Sequence, residues 1–238
     1  IVKAKKLQEK NITVNNLLDE WNKVKHDSKK VKESLLVGDL TSSQKVGLEY
    51  YKDMKERIPK EQIDSMNNIL SDLLSENPNL DIIYDICGSY RRNKPDSGDI
   101  DILITNKKLI SKDDVSESGL LKMFVTLLKD NKILVADLTK MGDTKYMGIC
   151  KIKGYETGRR IDIRCIQYPS YIPALLYFTG SMEENIRLRN IAIKNKYKIS
   201  EYGFYDMRDG KETQILLEKE EDLYNYLGEK YKEPHERI

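Results

Sequence analysis

GSYRRNKPDSGDIDILIT, residues 88–105, is the stretch whose reading decides the fold. Asp99 and Asp101 sit one residue apart inside its apolar second half. In a strand, alternate residues share a face. The two acids therefore stand on one side, and Ile100, Ile102 and Ile104 on the other, suited to packing under helices. Strand rise sets the acids roughly 7 Å apart. Carboxylates that close repel unless a cation lies between them. A pair of solvated edge acids is the alternative reading of this segment taken alone.

A second strand shifts the balance. In RRIDIRCI (159–166), Asp162, Arg160 and Arg164 share one face, and Ile161, Ile163 and Cys165 share the other. Brought beside the first strand, Asp162 makes an oxygen-rich cluster with Asp99 and Asp101. Oxygen donors without His or Cys favour Mg²⁺. Arg160 and Arg164 are placed to orient the carboxylates. Upstream, Gly88-Ser89 ends a strand and opens a short turn or helix, presenting backbone N–H groups and a hydroxyl to an anion. Arg91 and Arg92 follow, and arginine suits the clamping of phosphate. Ser97-Gly98 returns the chain to the same point. Phosphate clamp and metal ligands thus arrive together within one short segment.

Composition sets the bounds. The 238 residues are enough for one large or two small domains. Charged residues make up 34% of the chain, with a net charge of only +2, which describes a solvated folded surface. No apolar run approaches the roughly 20 residues needed to span a bilayer, and no membrane partner is expected. Cys87, Cys150 and Cys165 are odd in number and fit no zinc or redox spacing. They read as small core residues of an intracellular, reducing compartment. His26 and His235 lie far apart, which argues against a histidine-based site. Residues 1–60 carry more Lys and Arg than Asp and Glu. Such a segment can neutralise phosphates, though an ordinary solvated helix face has the same composition. The opening IVKAKKLQEK reads as a helix interior without a leader's pattern, so the natural protein is expected to continue upstream.

The pattern divides the chain into three modules. Residues 1–60 read as helices, with Thr13 a cap and LTSSQKVGLEYYKDMKERIP a helix running up to Pro59. Residues 61–167 open with a helix carrying Ile63, Met66, Ile69, Leu70, Leu73 and Leu74 on one side. Strands DIIYDIC and DIDILIT, a helix at about 117–130 and strands KILVADL, KYMGICKI and RIDIRCI follow. Residues 168–238 return to helices, with KISEYGFYD and ETQILL flanking a turn at Asp209-Gly210. The fold class is α/β or α+β, a mixed sheet backed by helices.

In GSYRR…SGDIDILIT, GDTKYMGIC, RRIDIRCI, LLYFTGS and KYKEP, the sequence resembles the family X DNA polymerases, the polymerase beta branch of the nucleotidyltransferase superfamily. The resemblance runs over essentially the whole chain. It implies a nucleotidyltransferase palm (61–167) between a helical DNA-binding module (1–60) and a nascent-base-pair-binding module (168–238). It implies template-directed addition of dNTPs to a primer 3′-OH, filling short gaps in duplex primer-template DNA under repair, by a monomer. Two Mg²⁺ ions, with Mn²⁺ able to substitute, would be held by Asp99, Asp101 and Asp162. Ser89, Arg92, Ser97 and Gly98 match phosphate-holding positions. Tyr177, Phe178 and Gly180 match the segment beside the incoming sugar and base. Asn185 and Arg189 match minor-groove positions, Arg189 on the template side. Arg164, Tyr171, Glu201 and Tyr202 match residues that accompany the family's open–closed transition. The nucleus or a viral replication or repair site would be the setting.

Two departures stand out. Met182 replaces an acidic or polar residue near the incoming base. Residues 1–7 look like the end of a helix-hairpin-helix whose turn lies upstream, and no lyase function can be assigned. Other functions remain open: a template-independent terminal transferase, a nucleotidyltransferase acting on RNA ends or a small molecule, and a non-catalytic DNA-binding scaffold. The short connection TKMGDTK (139–145) argues against the first, since untemplated members carry a longer loop there.

Overall fold

The computed structural model describes residues 12–237; the expected helix-hairpin-helix remnant at residues 1–7 lies outside them. Three helices come first, α1 (Val14–Val24), α2 (Ser28–Glu33) and α3 (Ser42–Glu49). Thr13 caps α1 in a reciprocal box with Asn16, and Thr41 does the same for α3 with Gln44. Their small core is Val24, Val31, Val37 and Leu48, with Leu17, Leu18 and Trp21 packed on it. The Trp21 indole N–H donates to Glu49 at 2.8 Å, tying α1 to α3.

The helix expected to continue to Pro59 stops at Glu49. Two long-range ties pull the chain out of it. Asp53 accepts a hydrogen bond from the Gly158 amide at 2.7 Å. Ile58 is buried in the next core, where β1 (Ile58–Pro59) enters a two-residue ladder. Helix α4 (Lys60–Glu76) follows and buries Ile63, Met66, Leu70 and Leu73.

The central layer comprises β2 (Ile83–Ile86), α5 (Gly88–Arg91), β3 (Asp96–Ser97), β4 (Ile100–Thr105), α6 (Lys112–Ser118), α7 (Leu120–Asp130), β5 (Leu134–Asp137), β6 (Lys145–Cys150) and β7 (Arg159–Cys165). β3 is the partner of β1. The main sheet has the order β2-β4-β7-β6-β5, with β4 and β7 parallel and the other pairs antiparallel. The helix expected at about 117–130 is α7, and the unexpected α6 ends just before it at Gly119, whose φ of +62° places it in the left-handed region. Ile100, Ile102, Ile104, Ile161 and Ile163 form one face of the sheet, buried with the apolar sides of α4 and α7. The opposite face carries the acids.

The last part runs α8 (Tyr171–Thr179), α9 (Met182–Lys194), β8 (Tyr197–Ser200), β9 (Gly203–Asp206), β10 (Thr213–Ile215) and α10 (Glu220–Leu227). KISEYGFYD, expected as one strand, folds back on itself: Ser200 pairs with Gly203, so β8 and β9 form a hairpin, and β10 adds a third strand. Leu176, Leu188, Phe204, Leu223 and Tyr224 are the core here.

A buried ionic cluster joins this part to the central layer. Arg91 donates to both carboxylate oxygens of Glu220, at 3.1 and 2.9 Å, and to the Thr179 hydroxyl at 2.8 Å. Arg237, itself buried, donates to Glu220 at 2.8 Å. Arg91, read from the sequence as a possible phosphate clamp, is thus committed to a structural contact.

Candidate active site

Sheet register builds the acid cluster. In the parallel β4–β7 pair, Asp101 lies opposite Asp162, and Ile100 and Ile102 lie opposite Ile161 and Ile163. The apolar sides go into the core, so the acids emerge together. Asp99, Asp101 and Asp162 are half-buried, and each offers a carboxylate oxygen within 4.8 Å of the others. Arg160 donates to Asp99. Burial, and then the Asp162 charge, push the Asp101 carboxyl up to about 6. Burial also raises Asp162, against the opposing charges of Arg160, Lys145 and Arg164. Asp162 Oδ1 is buried and has no hydrogen-bond partner. An orphaned acceptor among three acids, all donors being oxygen, fits a hard divalent cation. Asp99, Asp101 and Asp162 are the only such cluster of acids, His or Cys among the described residues.

The loop from β2 to β4 folds against this cluster. The Cys87 amide donates to the Asp101 carbonyl at 2.8 Å. Gly88 follows with φ +61°, and a Cβ there would stand 2.6 Å from Asp101 Oδ2. Only glycine lets the chain turn so close to the acid. No side chain caps the start of α5, which leaves its first amides to the site. Ser89 donates to Ser97 at 2.8 Å, closing the loop expected from the sequence. Ser97 is held by the β1–β3 ladder opposite Ile58.

Arg92 is only partly as expected. Its Nη1 donates to the Thr179 carbonyl at 2.5 Å, which fixes it against the C-terminal part. Its Nε is buried without a partner. Burial pushes its guanidinium down, opposed by Glu183 and Asp101. An underpaired cation beside the Gly-Ser turn calls for an anion.

Arg57 is a second cation here, and the sequence reading missed it. It grips Asp96 Oδ1 at 2.9 and 2.7 Å and lies 3.2 Å from where a Cβ on Gly98 would be. Nothing local marks it, because its partners are 39 residues away.

The α8–α9 elbow closes the other side. Phe178 joins Cys87, Asp101, Leu103, Asp162 and Arg164 around a cavity of about 60 Å³. Arg164 lies over the Phe178 ring, 5.5 Å from its centroid. Tyr177 packs edge-on against Phe178 at 5.1 Å. Asn185 donates to the Tyr177 carbonyl at 2.8 Å. Arg189 lies over the Tyr177 ring at 5.0 Å and is 3.9 Å from Glu201. Gly180, with φ +71°, brings the elbow to Arg92. Tyr171 donates to Asp85 at 2.6 Å, and the Tyr202 carbonyl accepts from Ser170 at 2.5 Å. Asp85 and Glu220 also escaped the sequence reading, since each is identified only by its distant partner.

Three acids, two on adjacent parallel strands and Asp99 just before the first of them, facing a Gly-Ser turn with two arginines, define a nucleotidyltransferase-type palm. Comparison with known proteins gives the family. The DNA polymerase beta palm matches residues 57–168 and the DNA polymerase beta thumb residues 174–238. DNA polymerase lambda of Arabidopsis thaliana is 34% identical over 216 residues, covering 83% of this chain and 40% of that protein. DNA polymerase lambda of Rattus norvegicus is 31% identical over 214 residues, covering 84% of this chain and 36% of that protein. The ternary P/T complex of Leishmania infantum polymerase beta superposes with a TM-score of 0.83 at 28% identity, covering 99% of this chain and 92% of that one. The chain belongs to the family X DNA polymerases. It spans less than half the length of the two lambda relatives.

Proposed function

We propose that this chain is a template-directed DNA polymerase that adds dNTPs to a primer 3′-OH in short gaps of duplex DNA. The observation that carries this reading is the parallel register of Asp101 and Asp162, which gathers three acids beside the Gly88–Gly98 loop. The likeness to DNA polymerase lambda proteins and to polymerase beta in P/T and gap complexes supports DNA as the partner.

Asp99, Asp101 and Asp162 would hold Mg²⁺. Bound there, the metal supplies Lewis-acid activation of the attacking hydroxyl and neutralises charge at the transferring phosphate. The protein's own groups do the rest. Asp162, through the carboxylate oxygen not given to the metal, takes the proton from the primer 3′-hydroxyl. Arg160 keeps Asp99 turned toward the site. The Gly88 and Ser89 amides, the Ser89 and Ser97 hydroxyls and the Gly98 backbone hold the β- and γ-phosphates. Arg92 and Arg57 offset charge on the departing pyrophosphate.

Tyr177, Phe178 and Gly180 flank the incoming sugar and base. Asn185 and Arg189, now turned onto Tyr177, are the groups for the minor groove and template side. Arg164, Glu201 and Tyr202 line one pocket with Phe178, and Tyr171 is tied to Asp85; these are the contacts that closure on a substrate would change. The helices before Ile58 would grip duplex DNA through its backbone, giving salt-sensitive binding without sequence preference.

Extension of a duplex with a one-nucleotide gap, with each dNTP and Mg²⁺ in turn, tests the reading. Incorporation of only the complementary nucleotide is the expected result. Incorporation regardless of template would mark a terminal transferase, and DNA binding without incorporation a scaffold.

A further inference from the structure

The Gly88–Gly98 loop opens with α5, a single turn of four residues. One turn forms too few hydrogen bonds to hold itself, so its side chains must fix it. Ser89 meets Ser97 within the loop, and Arg91 and the following Arg92 reach across to Thr179 and Glu220 in the C-terminal part. Tyr90 reaches α4 instead. Its hydroxyl donates to Asp64 Oδ1 at 2.9 Å. Lys60, one helical turn before Asp64, donates to both oxygens of that carboxylate at 2.9 and 3.0 Å. Its Nζ also stands 5.3 Å from the centroid of the Tyr90 ring. Burial, and then the bond to Asp64, push the Tyr90 phenol up to about 12, so it stays a donor. The Lys60 amide donates to the Pro95 carbonyl at 2.9 Å. The first turn of α4 thus holds the loop at two points, Tyr90 and Pro95. The acid end of the loop has its own tie, from the Cys87 amide to the Asp101 carbonyl.

We propose that Tyr90, braced by Asp64 and Lys60, is a positioning residue that sets the Gly88–Gly98 loop for the triphosphate tail, and so governs nucleotide affinity without governing the rate of transfer. The proposal rests on the polymerase reading above. Tyr90 directly follows Ser89, whose amide and hydroxyl face the phosphates in that reading. A hydrogen bond to a carboxylate is short, strong and directional, and the adjoining ammonium keeps this carboxylate ionised. The tie is made before any nucleotide arrives. The phosphates then need not order the loop themselves, a cost that would otherwise be subtracted from their binding. Loss of the hydroxyl frees the part of the loop beyond Gly88, while the Cys87–Asp101 tie keeps the acids in place for the α-phosphate. The effect therefore falls on whatever the loop itself holds. That is the β- and γ-phosphates of any dNTP, and equally pyrophosphate, which is made of those two groups.

Single-turnover insertion into a one-nucleotide gap tests this, over a range of dNTP concentrations and with pyrophosphate as inhibitor. The proteins are the wild type, Tyr90→Phe, Asp64→Ala, Asp64→Asn, the double variant Tyr90→Phe/Asp64→Ala, and Tyr84→Phe as a control. Tyr84 makes a comparable tie from the sheet to α4, its hydroxyl 3.1 Å from Asn67 Oδ1, and takes no part in the loop. Tyr90→Phe should raise the dNTP dissociation constant and the pyrophosphate inhibition constant by one common factor, about three- to tenfold, for all four complementary pairs. Its rate at saturating dNTP should stay within about twofold of the wild type. Asp64→Ala should act alike, the double variant should be no worse than the worse single one, and Asp64→Asn, which keeps an acceptor, should recover most of the loss. Tyr84→Phe should leave both constants unchanged. An unchanged dNTP constant in Tyr90→Phe overturns the proposal, as does a rise that pyrophosphate does not share or that Tyr84→Phe reproduces. A merely structural role would lower the melting temperature and the active fraction and leave both constants intact. Failure of the wild type to insert the complementary base would instead overturn the polymerase reading.

Discussion

The Tyr171 hydroxyl donates to Asp85 at 2.6 Å, joining the first residue of helix α8 to strand β2. Asp85 shares the sheet face of the three clustered acids, one strand over and opposite Leu103. Tyr171 is buried, and burial together with the Asp85 charge raises its phenol well above the usual range, so it remains a donor. This contact sets where α8 leaves the palm, and with it the position of Tyr177 and Phe178. A double-mutant cycle of Tyr171→Phe and Asp85→Ala, followed by urea denaturation, should give a coupling of about 1.5–3 kcal/mol. Asp85→Asn, which keeps an acceptor, should recover most of it. Additive losses would show that the pair does not act as a unit.

Asp162 has the clearest expected effect on chemistry. Asp162→Ala should abolish primer extension on gapped DNA while leaving duplex affinity within about twofold, because the acid lies in the palm and not on the basic helices. Gel extension and fluorescence anisotropy of one protein preparation check both halves. Ordinary extension by this variant would remove Asp162 from the site.

Gly88 tests the fit between phosphate loop and acid cluster. Its φ of +61° and the 2.6 Å approach of a Cβ to Asp101 Oδ2 leave no room for alanine. Gly88→Ala should cost about 1–3 kcal/mol of stability from backbone strain. It should also displace Asp101 and raise the Mg²⁺ concentration needed for half-maximal extension. A metal titration with the wild-type midpoint would show that the loop can yield without moving the acid.

Glu184 gives the pH dependence. Burial alone would push its carboxyl up, but hydrogen bonds from Arg187 and Lys232 outweigh this and hold it down at about 2. A carboxyl lower in the folded than in the unfolded state stabilises the protein once ionised. Its contribution is complete above the ordinary value of 4.5 and is lost as the pH falls from there toward 2. Thermal melts between pH 6 and about 3 should therefore fall more steeply in the wild type than in Glu184→Gln. Parallel curves would assign the acid sensitivity to other carboxylates.

Much of this was legible in the chain itself. Alternation in DIDILIT and RRIDIRCI fixed which side of each strand meets the core, because a period of two leaves no other arrangement with the isoleucines buried. That alone put the aspartates of each segment on the face turned from the core. Gly88, Ser89, Ser97 and Gly98 were readable as the two ends of one loop, which the Ser89–Ser97 hydrogen bond closes. Elements whose bounds depend on distant partners were not readable. The helix after Thr41 ends early because Asp53 and Ile58 are claimed by the palm, and KISEYGFYD doubles back as β8 and β9. Arg91, an apparent phosphate clamp by sequence, belongs to Glu220, 129 residues away.

The sequence by itself determined which faces are apolar and which acids stand on the faces turned from the core. Each of these follows from local chemistry and the period of a strand or helix. Only the tertiary structure decided that β4 and β7 lie side by side and in parallel, with Asp101 opposite Asp162. It alone brought Arg57 to Gly98 and turned Arg92 and Asn185 onto the elbow, leaving Met182 and Ile186 as its open face. Strand pairing and side-chain partnership join residues far apart in the chain, and their energy depends on packing that no local window contains.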